Sequence, residues 1–356
     1  MGKYRIDLRS DIHTEPTPAM RRAMAEAEVG GDALRGEDTN VAALEEACAA
    51  MFGKETALFV ASGTMGNLVS LLAISQPGGA IIADPWTHIV SSEGGGFERL
   101  AGCRLIPIET NGVLAGGMVR ERLRNCDIGH RAGVICVENT HSFRGGVAWG
   151  EDVLADLVTV AREYELRLHI DGARIFNAAV ASGTSVADLT DGADTVQVCL
   201  SKGLGAPFGS LVLGSQEVID RAREYRQMLG GGIHKGGAMA AAGLVALREM
   251  PSRLSEDHRR AKQLAGLVAE MPPLRLAHRV QTNIIDIAFD GELVDGQKFV
   301  GYAAEHGVGV AGPWRAPWGE WIRLMTHYGV DDGDVVEAGA VLGEALKESR
   351  RAGCVE

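Results

Sequence analysis

Two side chains of opposite charge stand where strand-like segments of this sequence end, and both could act on a carbonyl compound. Asp171 follows the segment Arg167–Ile170, and Lys202 follows the segment Thr195–Leu200. An amine that is desolvated at the end of a buried strand has a lowered pKa and can attack an aldehyde carbon, while a carboxylate there can hold a positive charge. Taken alone, each residue has an ordinary alternative: Asp171 could cap a helix, and Lys202 could be a surface lysine.

A third feature is a run of small residues between a strand-like and a helix-like segment. Ser62, Gly63 and Thr64 occupy this position. Backbone N–H groups at a helix start bind anions such as phosphate with the help of the helix dipole, and the two hydroxyl groups could add hydrogen bonds. Simple N-capping by Ser62 or Thr64 is the alternative. The spacing of glycines around Lys202 excludes a Walker A phosphate loop.

Polar residues also follow two further strand-like segments. His88 comes after Ala80–Ala83, and Glu138 and His141 come after Gly133–Val137. Because parallel strands end at one edge of a sheet, all of these residues are expected to meet there. An anion site, a carboxylate and a nucleophilic amine at one edge match the requirements of pyridoxal phosphate, which has a phosphate, a pyridine nitrogen and an aldehyde. For His88 alone, a structural histidine is an equally good interpretation.

The elements that position these residues alternate in type along the chain. The predicted strands are Ala57–Val60, Ala80–Ala83, Arg104–Pro107, Gly133–Val137, Arg167–Ile170, Thr195–Leu200 and Ser210–Leu213. The predicted helices include Asn40–Phe52, Gly66–Ala73, Val153–Tyr164 and Ser215–Leu229. This alternation is typical of parallel βα units with right-handed crossovers. We therefore predict an α/β fold with a mostly parallel central sheet flanked by helices.

The pattern changes beyond about Gly237. A long helical stretch, interrupted at Pro251, leads to strand-like segments and a final helix. The strand-like segments are Asn283–Phe289, Gly307–Val310 and Trp321–Thr326. This order predicts a smaller C-terminal α+β domain. We place the large domain, with an N-terminal arm, at residues 1–250 and the small domain at residues 251–356.

The composition excludes several classes of protein. Of the 356 residues, 46% are hydrophobic and 23% are charged, which is typical of globular domains. The formal net charge of −12 argues against nucleic acid or an anionic membrane as the main partner. No apolar run approaches the roughly 20 residues of a membrane span and the N-terminus lacks a signal-peptide core, so we expect a cytoplasmic protein. Six scattered cysteines without a CxxC pair predict reduced, mostly buried thiols.

Taken together, the motifs resemble those of the low-specificity L-threonine aldolases of the β-eliminating lyase group, within the aspartate-aminotransferase-like pyridoxal phosphate fold. The similar segments run in the same order over essentially the whole chain: Asp7-Leu8-Arg9-Ser10-Asp11, Ser62-Gly63-Thr64, Glu138-Asn139-Thr140-His141, Asp171-Gly172-Ala173-Arg174, Ser201-Lys202-Gly203-Leu204-Gly205, Gly230-Gly231-Gly232 and Arg323-Leu324-Met325-Thr326-His327. The resemblance implies a fold type I large domain around the central sheet.

For the cofactor, the resemblance implies that Lys202 binds pyridoxal phosphate covalently as a Schiff base. It implies that Asp171 pairs with the pyridine nitrogen, that His88 stacks on the ring, and that Gly63 and Thr64 hold the phosphate. The further residues expected around the cofactor are Ser62, Glu138, Arg174 and Ser201. No metal ion is expected.

For the substrate, the resemblance implies that Ser10, Arg174 and Arg323 bind the carboxylate of an amino acid. His141 would face the β-hydroxyl group and help to place or accept its proton. The implied activity is retro-aldol cleavage of L-β-hydroxy-α-amino acids, of the threonine, allo-threonine or phenylserine type, to glycine and an aldehyde. The alternative is a related enzyme of the same fold that acts as an amino-acid racemase, a transaldolase or a β-eliminating lyase. A homodimer or homotetramer with active sites at the dimer interface is also implied.

Some positions differ from the family pattern. Arg35 stands where the family usually has a tyrosine, and Ile233-His234-Lys235 stands where it usually has Met-Arg-Gln. In the family these positions help to hold the phosphate bound by a neighbouring subunit, so our hypothesis is that Arg35 and His234 or Lys235 share that task here. Ser142 replaces the usual asparagine after the motif histidine, a difference that bears on substrate scope.

Two features have more than one interpretation. Trp314, Trp318 and Trp321 could line a pocket for a bulky aldehyde portion, or they could belong to the core or to a subunit contact. His169 and Asp171 lie two residues apart on one strand face and could belong to a metal-dependent hydrolase, but no third ligand stands at a matching spacing.

Overall fold

The computed structural model describes residues 4–28, 30–31, 36–125, 133–316 and 319–351. These residues form two compact units. The larger unit comprises residues 16–252, and the smaller unit combines the N-terminal segment up to residue 15 with the residues from 253 onward. A seven-stranded sheet is the centre of the larger unit, and a four-stranded sheet is the centre of the smaller one.

The chain starts in the smaller unit with β1 (Ile6–Asp7) and then enters the larger unit. The strands of the larger unit are β2 (Thr56–Val60), β3 (Ala80–Ala83), β4 (Arg104–Pro107), β5 (Val134–Glu138), β6 (Arg167–Asp171), β7 (Thr195–Cys199) and β8 (Ser210–Gly214). Its helices are α1 (Pro18–Glu26), α2 (Thr39–Phe52), α3 (Gly63–Ile74), α4 (His88–Ser91), α5 (Gly96–Arg99), α6 (Gly116–Arg124), α7 (Glu151–Glu163), α8 (Ile175–Ser182), α9 (Gln216–Met228) and α10 (Gly237–Glu249).

The large sheet is mostly parallel, as predicted. Its strand order is β2-β8-β7-β6-β5-β3-β4. The pairs β7–β6, β6–β5, β5–β3 and β3–β4 are parallel, whereas β8 runs antiparallel to both β2 and β7. Apart from the reversed β8, the strands therefore point in one direction, and their carboxyl ends share one edge.

The strands are buried because helices cover both faces of the sheet. Every residue of β3, β5, β7 and β8 is buried, and these strands lack the polar alternation of a half-exposed sheet. Among the covering helices, α3 packs on β7 and on α9. The α/β fold class predicted from the sequence is thus confirmed.

Side-chain caps set the starts of several helices in the larger unit. Thr17, Asp38, Ser62 and Ser215 accept hydrogen bonds from backbone N–H groups in the first turns of α1, α2, α3 and α9. These caps satisfy donors that lack a carbonyl partner within the helix. At the other end of α2, Gly53 adopts a left-handed φ of 61°, a conformation that favours glycine at a helix end.

The smaller unit is an antiparallel sheet covered by helices. Its remaining elements are α11 (Leu254–Ala269), β9 (Arg275–Leu276), β10 (Ile284–Phe289), α12 (Gly296–Glu305), β11 (Val308–Gly309), β12 (Ala311–Ala316), β13 (Gly319–Met325) and α13 (Asp332–Ser349). The sheet has the strand order β12-β13-β10-β9, and all neighbours in it are antiparallel. Phe289, Phe299 and Leu342 are among the buried residues of its core. The predicted α+β character of the C-terminal region agrees with these elements.

The N-terminal segment packs within the smaller unit. β1 pairs in parallel with β11, with Ile6 opposite Val308. The backbone N–H of Leu8 donates to the carbonyl of Gly309 at 3.0 Å, and that of Met325 donates to the carbonyl of Leu8 at 2.8 Å. Ile6 and Leu8 are buried in the core of this unit, which explains why the predicted N-terminal arm is found with C-terminal residues. The domain boundary after residue 250 stays a prediction.

The described cysteines agree with the predicted reduced state. Cys48, Cys103, Cys136 and Cys199 are free and buried. Cys126 and Cys354 lie outside the described residues. In the part of the chain that the structure covers, every helix is too short or too polar to traverse a lipid bilayer.

Candidate active site

The carboxyl edge of the large sheet gathers the predicted site residues of the larger unit. Ser62 follows β2, His88 follows β3, Glu138 ends β5, Asp171 ends β6, and Lys202 follows β7. Because these strands point in one direction, short loops at their ends bring the side chains to the same edge. This is the edge at which open α/β sheets bind ligands.

Asp171 is a buried carboxylate that neutral donors hold in place. Its Oδ2 accepts a hydrogen bond from Nδ2 of Asn67 at 2.8 Å, and its Oδ1 accepts one from the backbone N–H of Ala173 at 3.1 Å. The amide of Gln197, in the orientation that satisfies both of its ends, donates to Oδ1 at 3.0 Å. Among the described residues, no lysine or arginine forms a hydrogen bond with Asp171. Its negative charge is therefore available to a cationic group in the site.

Asn67 connects this carboxylate to a buried histidine. Its Nδ2 donates to Asp171 and also to Oε1 of Glu93, each at 2.8 Å. Its Oδ1 accepts from Nε2 of His169 at 3.1 Å, so Nδ1 of His169 accepts from the hydroxyl of Thr195 at 2.8 Å. Burial lowers the pKa of His169 to about 4, so the ring is neutral near pH 7. The result is a continuous hydrogen-bonded chain from Thr195 to two carboxylates.

These bonds do not support a metal-dependent hydrolase built on His169 and Asp171, because both nitrogens of His169 are bonded to the protein. The potential ligand atoms of His88, Glu93 and Asp171 lie within 4.8 Å of one another. The amide of Asn67 donates to both carboxylates, and His88 is bonded to Glu93. The contacts of this group are those of a hydrogen-bonded network.

His88 is fixed at two points. Its backbone N–H donates to Oε2 of Glu138 at 2.8 Å, and its Nδ1 lies 2.7 Å from Oε1 of Glu93. The bond to Glu93 raises the pKa of His88, burial lowers it, and the negative charge of Asp171 raises it further. The His88 side chain is 35% exposed, so a flat ligand ring could reach it.

Lys202 lies in the loop between β7 and β8 and is half-buried. This loop is closed by backbone bonds, from Gly205 N–H to the carbonyl of Lys202 at 2.8 Å and from Ala206 N–H to the carbonyl of Leu200 at 3.0 Å. The positive charge of Lys202 lies close enough to His88 to lower the pKa of that imidazole. Within the described part of the chain, the Lys202 amine makes no hydrogen bond or ion pair, which leaves it available for an aldehyde.

The start of α3 has the features of an anion site. Ser62 and Thr64 are exposed, and Oγ of Ser62 accepts from the backbone N–H of Met65 at 3.1 Å. Ser62 is therefore the N-cap of α3. At Gly63 a Cβ atom would lie 2.8 Å from Sγ of Cys199, so the close packing requires glycine. Gly63 and Asn67, which bonds Asp171, are about 6 Å apart along the axis of α3.

Glu138 ties neighbouring loops together. Besides the bond from the His88 backbone, its Oε1 accepts from the backbone N–H of Ser142 at 2.8 Å. Its carbonyl oxygen accepts from Nε1 of Trp149 at 3.2 Å. Glu138 was predicted to contact the cofactor; its described bonds are to the protein, and the cofactor contact stays a prediction.

His141 is a buried imidazole with unsatisfied nitrogens. It is 2% exposed, and neither of its ring nitrogens has a hydrogen-bond partner within the described chain. Nε2 lies 3.9 Å from Oδ2 of Asp84, beside a small cavity that Thr110 and Trp149 also line. Since buried polar atoms are almost always paired, a bound molecule is the natural partner for this ring.

The structure also describes four of the five other predicted residues of the larger unit. Arg174 is buried in front of α8, and Ser201 is half-buried next to the lysine. His234 and Lys235 are exposed in the loop after α9. Arg35 lies outside the described residues.

The triple-glycine loop after α9 lies against the start of α3. A Cβ atom at Gly231 would collide with Sδ of Met65, so the loop packs against the first turn of α3. This contact brings the loop that carries His234 and Lys235 close to the candidate anion site.

Ser10 and Arg323 belong to the smaller unit. Oγ of Ser10 accepts from the backbone N–H of Ile12 at 3.3 Å. Arg323 on β13 stands directly opposite Asp286 on β10. Its Nε and Nη2 donate to the two carboxylate oxygens of Asp286 at 2.7 and 2.9 Å, and both side chains are buried. This bidentate pair fixes the plane of the guanidinium group.

Trp321 lies beside that pair, and Trp314 lies beside Trp321. The ring of Trp321 is 5.1 Å from Cζ of Arg323 and is 6% exposed, so it belongs to the core. Trp314 is 42% exposed and lies 4.6 Å from Trp321, measured between ring centroids. Trp318 lies outside the described residues. A pocket lined by these rings stays a prediction.

Sequence reasoning missed several polar residues that organise the site. Asn67 and Glu93 stand four residues after Gly63 and five residues after His88, and this short spacing was the available signal. Asp286 is the single charged residue within the apolar strand Ile284–Phe289, and this isolated charge was a second available signal. Gln197 had no comparable signal.

The residues at the sheet edge fit pyridoxal phosphate. The start of α3 offers backbone N–H groups to a phosphate. Within the residues that the structure describes, Asp171 offers an anion that no lysine or arginine bonds, and Lys202 offers an amine without a hydrogen-bond partner. His88 adds a partly exposed flat ring beside them.

Comparison with known proteins gives relatives for most of the chain. The sequence profile of the β-eliminating lyase family matches residues 7–290. The protein R102.4 of Caenorhabditis elegans, which is described as uncharacterized, is 45% identical over 271 residues, and the match covers 75% of this chain and 65% of that relative. A probable low-specificity L-threonine aldolase of Arabidopsis thaliana is 39% identical over 338 residues, which cover 93% of this chain and 94% of that protein.

Solved structures share the fold. A threonine aldolase of Leishmania major superposes with a TM-score of 0.82 at 19% sequence identity. The superposition covers 96% of this chain and 99% of that one.

Proposed function

The chain belongs to the β-eliminating lyase family, and we propose that it is a pyridoxal phosphate-dependent aldehyde-lyase that cleaves L-β-hydroxy-α-amino acids to glycine and an aldehyde. The Arabidopsis relative, which is similar over nearly the full length of both chains, bears the name of such an aldolase. Threonine, allo-threonine and phenylserine represent the proposed substrate class. The family resemblance predicted from the motifs is confirmed.

One observation carries the proposal. At one sheet edge, Asp171 and Lys202 both lie close enough to His88 to shift its pKa, and within the described residues neither is bonded to an oppositely charged side chain. A buried, uncompensated charge costs stability, so its retention argues for a cationic ligand at Asp171. Lys202 is the complementary group for an aldehyde.

Pyridoxal phosphate, when bound, supplies an electron sink for the negative charge left at Cα when the Cα–Cβ bond breaks. Asp171 would stabilise the protonated state of the pyridine nitrogen, and Lys202 would bind the aldehyde carbon. The N–H groups of Gly63 and Thr64, with the dipole of α3, would bind the phosphate. His88 would pack against the ring.

We propose that His141 accepts the proton of the substrate β-hydroxyl group. Loss of that proton allows the oxygen to form the aldehyde carbonyl as the Cα–Cβ bond breaks. The unpartnered ring nitrogens of His141 support this role, because a lone pair without a protein donor can accept a proton. The carboxylate of Asp84, 3.9 Å away, would stabilise the resulting imidazolium.

For the substrate carboxylate we propose Arg323, Arg174 and Ser10. A guanidinium group offers two parallel hydrogen bonds to a carboxylate, which a lysine cannot. The bond of Arg323 to Asp286 supports the role by holding the guanidinium in one plane.

Assembly and location are part of the proposal. We propose a cytoplasmic homodimer or homotetramer in which Arg35 and His234 or Lys235 help to hold the phosphate bound by a neighbouring subunit. Unchanged affinity for pyridoxal phosphate in Arg35→Ala would count against that assignment.

Product analysis tests the proposed activity. The loaded protein is incubated with threonine and with phenylserine, and glycine and the matching aldehyde are expected in equal amounts. Keto acid would indicate a β-eliminating lyase, an inverted amino acid a racemase, and transfer to a second aldehyde a transaldolase. Lys202→Ala should abolish turnover and covalent labelling by borohydride, while Lys298→Ala, at an exposed position of the smaller unit, should keep both.

A further inference from the structure

A buried acid beside His88 has no part in the reaction described above. Glu93 follows α4, and its side chain is 6% exposed. Its Oε1 lies 2.7 Å from Nδ1 of His88 and accepts a hydrogen bond from Nδ2 of Asn67 at 2.8 Å. Glu93 is therefore held from one side by α3 and itself holds His88 on the other.

We propose that Glu93 is the positioning residue that fixes both the orientation and the charge of the His88 ring. The inference rests on the proposed function, in which His88 stacks on the cofactor ring. A histidine ring rotates easily about its last side-chain bond, and the hydrogen bond at Nδ1 removes that freedom. Because Asn67 also bonds Asp171, one amide sets Glu93 and Asp171 relative to each other.

The charges around His88 support this role. The charged groups that act on the ring are Glu93, Asp171 and Lys202. The carboxylate of Glu138 accepts a hydrogen bond from the backbone N–H of His88. The bond to Glu93 raises the pKa of His88 more than any other contact, whereas burial and Lys202 lower it. Burial raises the pKa of Glu93, and the bond from His88 opposes that rise. Removal of the Glu93 charge should therefore lower the pKa of His88.

The direct test is a titration of His88 in the full-length protein, with and without added pyridoxal phosphate. Histidine labelled with 13C in the ring is followed by NMR, and the His88 signal is assigned by its loss in His88→Asn. In Glu93→Gln we expect the pKa of His88 to fall by about one unit, which is roughly a tenfold drop in the ratio of charged to neutral ring. In Glu93→Asp the charge remains, and most of the shift should be restored.

Glu98→Gln is the matched control. It removes the same charge from an exposed position five residues further along. We expect the pKa of His88 to stay within about 0.2 unit of wild type there. The inference is overturned if Glu93→Gln leaves the titration of His88 unchanged, or if Glu98→Gln shifts it as much.

A second readout addresses the cofactor. The dissociation constant of pyridoxal phosphate, measured by fluorescence titration, should rise about tenfold in Glu93→Gln, which corresponds to about 1.4 kcal/mol. It should rise much less in Glu93→Asp. Wild-type affinity in Glu93→Gln would remove the positioning role. Failure of the proposed function is distinguishable, because a protein that leaves threonine intact would still display the histidine titration and the cofactor affinity.

Discussion

Asp171 and Asp286 are both buried acids, but their neighbours differ in charge. Asp171 in the larger unit is 2% exposed and accepts hydrogen bonds only from neutral amide and backbone groups of the described chain. Asp286 in the smaller unit is 1% exposed and is bonded at both oxygens to Arg323. Asp286 is neutralised by an arginine, whereas Asp171 has no bonded lysine or arginine among the described residues. The larger unit thus retains a negative charge for a ligand, whereas the smaller unit uses its acid to orient an arginine.

The largest effect is expected from breaking the neutralised pair. In Asp286→Asn, Arg323 stays buried without its carboxylate, and loss of one partner from a buried ion pair costs about 3–5 kcal/mol. We expect the free energy of unfolding, measured by urea denaturation, to fall by about this amount. Glu292→Gln, which neutralises an exposed acid, should change it by less than about 0.5 kcal/mol. Equal losses in the two variants would contradict the distinction.

A smaller loss of stability is expected at Asp171. In Asp171→Asn the unfolding free energy of the protein without cofactor should fall by less than in Asp286→Asn, because removal of the buried charge offsets the loss of a hydrogen bond where the new amide NH2 faces a donor. Release of aldehyde from threonine should fall about 10²–10³-fold, since an amide cannot stabilise a positive charge on the ring nitrogen. Denaturation and turnover are measured on the same preparations. A severely destabilised variant that retains full activity would reverse the comparison.

The pH dependence of stability tests whether His169, which bonds the Asn67 amide beside Asp171, is neutral in the folded protein. Burial lowers the pKa of His169 from 6.5 to about 4. Between these values the unfolded chain binds a proton that the folded chain does not. Stability should therefore fall as the pH decreases from about 6.5 to about 4, by up to about 3 kcal/mol from this residue. Burial lowers the pKa of His258 in the smaller unit in the same way.

In His169→Gln the unfolding free energy should depend less steeply on pH, because the difference in bound protons between the unfolded and folded chains falls by up to one. Urea denaturation at several pH values measures this slope. His258→Gln serves as the comparison variant in the other unit. If the slope for His169→Gln equals that of wild type, His169 does not carry the low pKa that its burial implies.

The smallest effect is expected at Asn67. Asn67→Ala leaves the neighbouring carboxylates and His169 without one hydrogen bond each, at a cost of about 1–3 kcal/mol. This variant should lose stability and cofactor affinity together, because the charge of Asp171 remains but the hydrogen bond that positions the carboxylate is lost. Denaturation and fluorescence titration measure the two losses. Asn125→Ala, at an exposed turn, should alter neither.

The residues that could be predicted from the sequence are those whose place follows from local order. Asp171 ends one buried strand and Lys202 follows another, so the direction of a parallel sheet brings both to one edge. The same argument predicted His88, Glu138 and the start of α3. The predicted strands agree with the observed ones for this reason, since each is a short apolar run with a clear end.

Residues that act across long separations could not be predicted in this way. Asn67 and Asp171 are 104 positions apart, and their bond depends on how α3 packs against the sheet. Asp286 and Arg323 are 37 positions apart and meet only in one register of β10 and β13. A local pattern specifies neither the packing of a helix on a strand nor a register.

Helix starts also depend on more than periodicity. The sequence predicts a helix from Gly66, but α3 begins at Gly63 because the hydroxyl of Ser62 caps its first turn. The three additional residues include Gly63 and Thr64, which the family resemblance connects with phosphate. A capping interpretation of Ser62, taken literally, would have predicted the correct start.

The parallel pairing of β1 with β11 also has a consequence for biosynthesis. Ile6 is synthesised about 300 residues before its partner Val308. At about 5–20 residues per second, the roughly 300 residues between them take about 15–60 s to synthesise. Residues 16–252 can condense on the nascent chain during that delay, while the first strand waits for its partner. The smaller unit can therefore be completed only after Val308 has been synthesised, well after the larger unit.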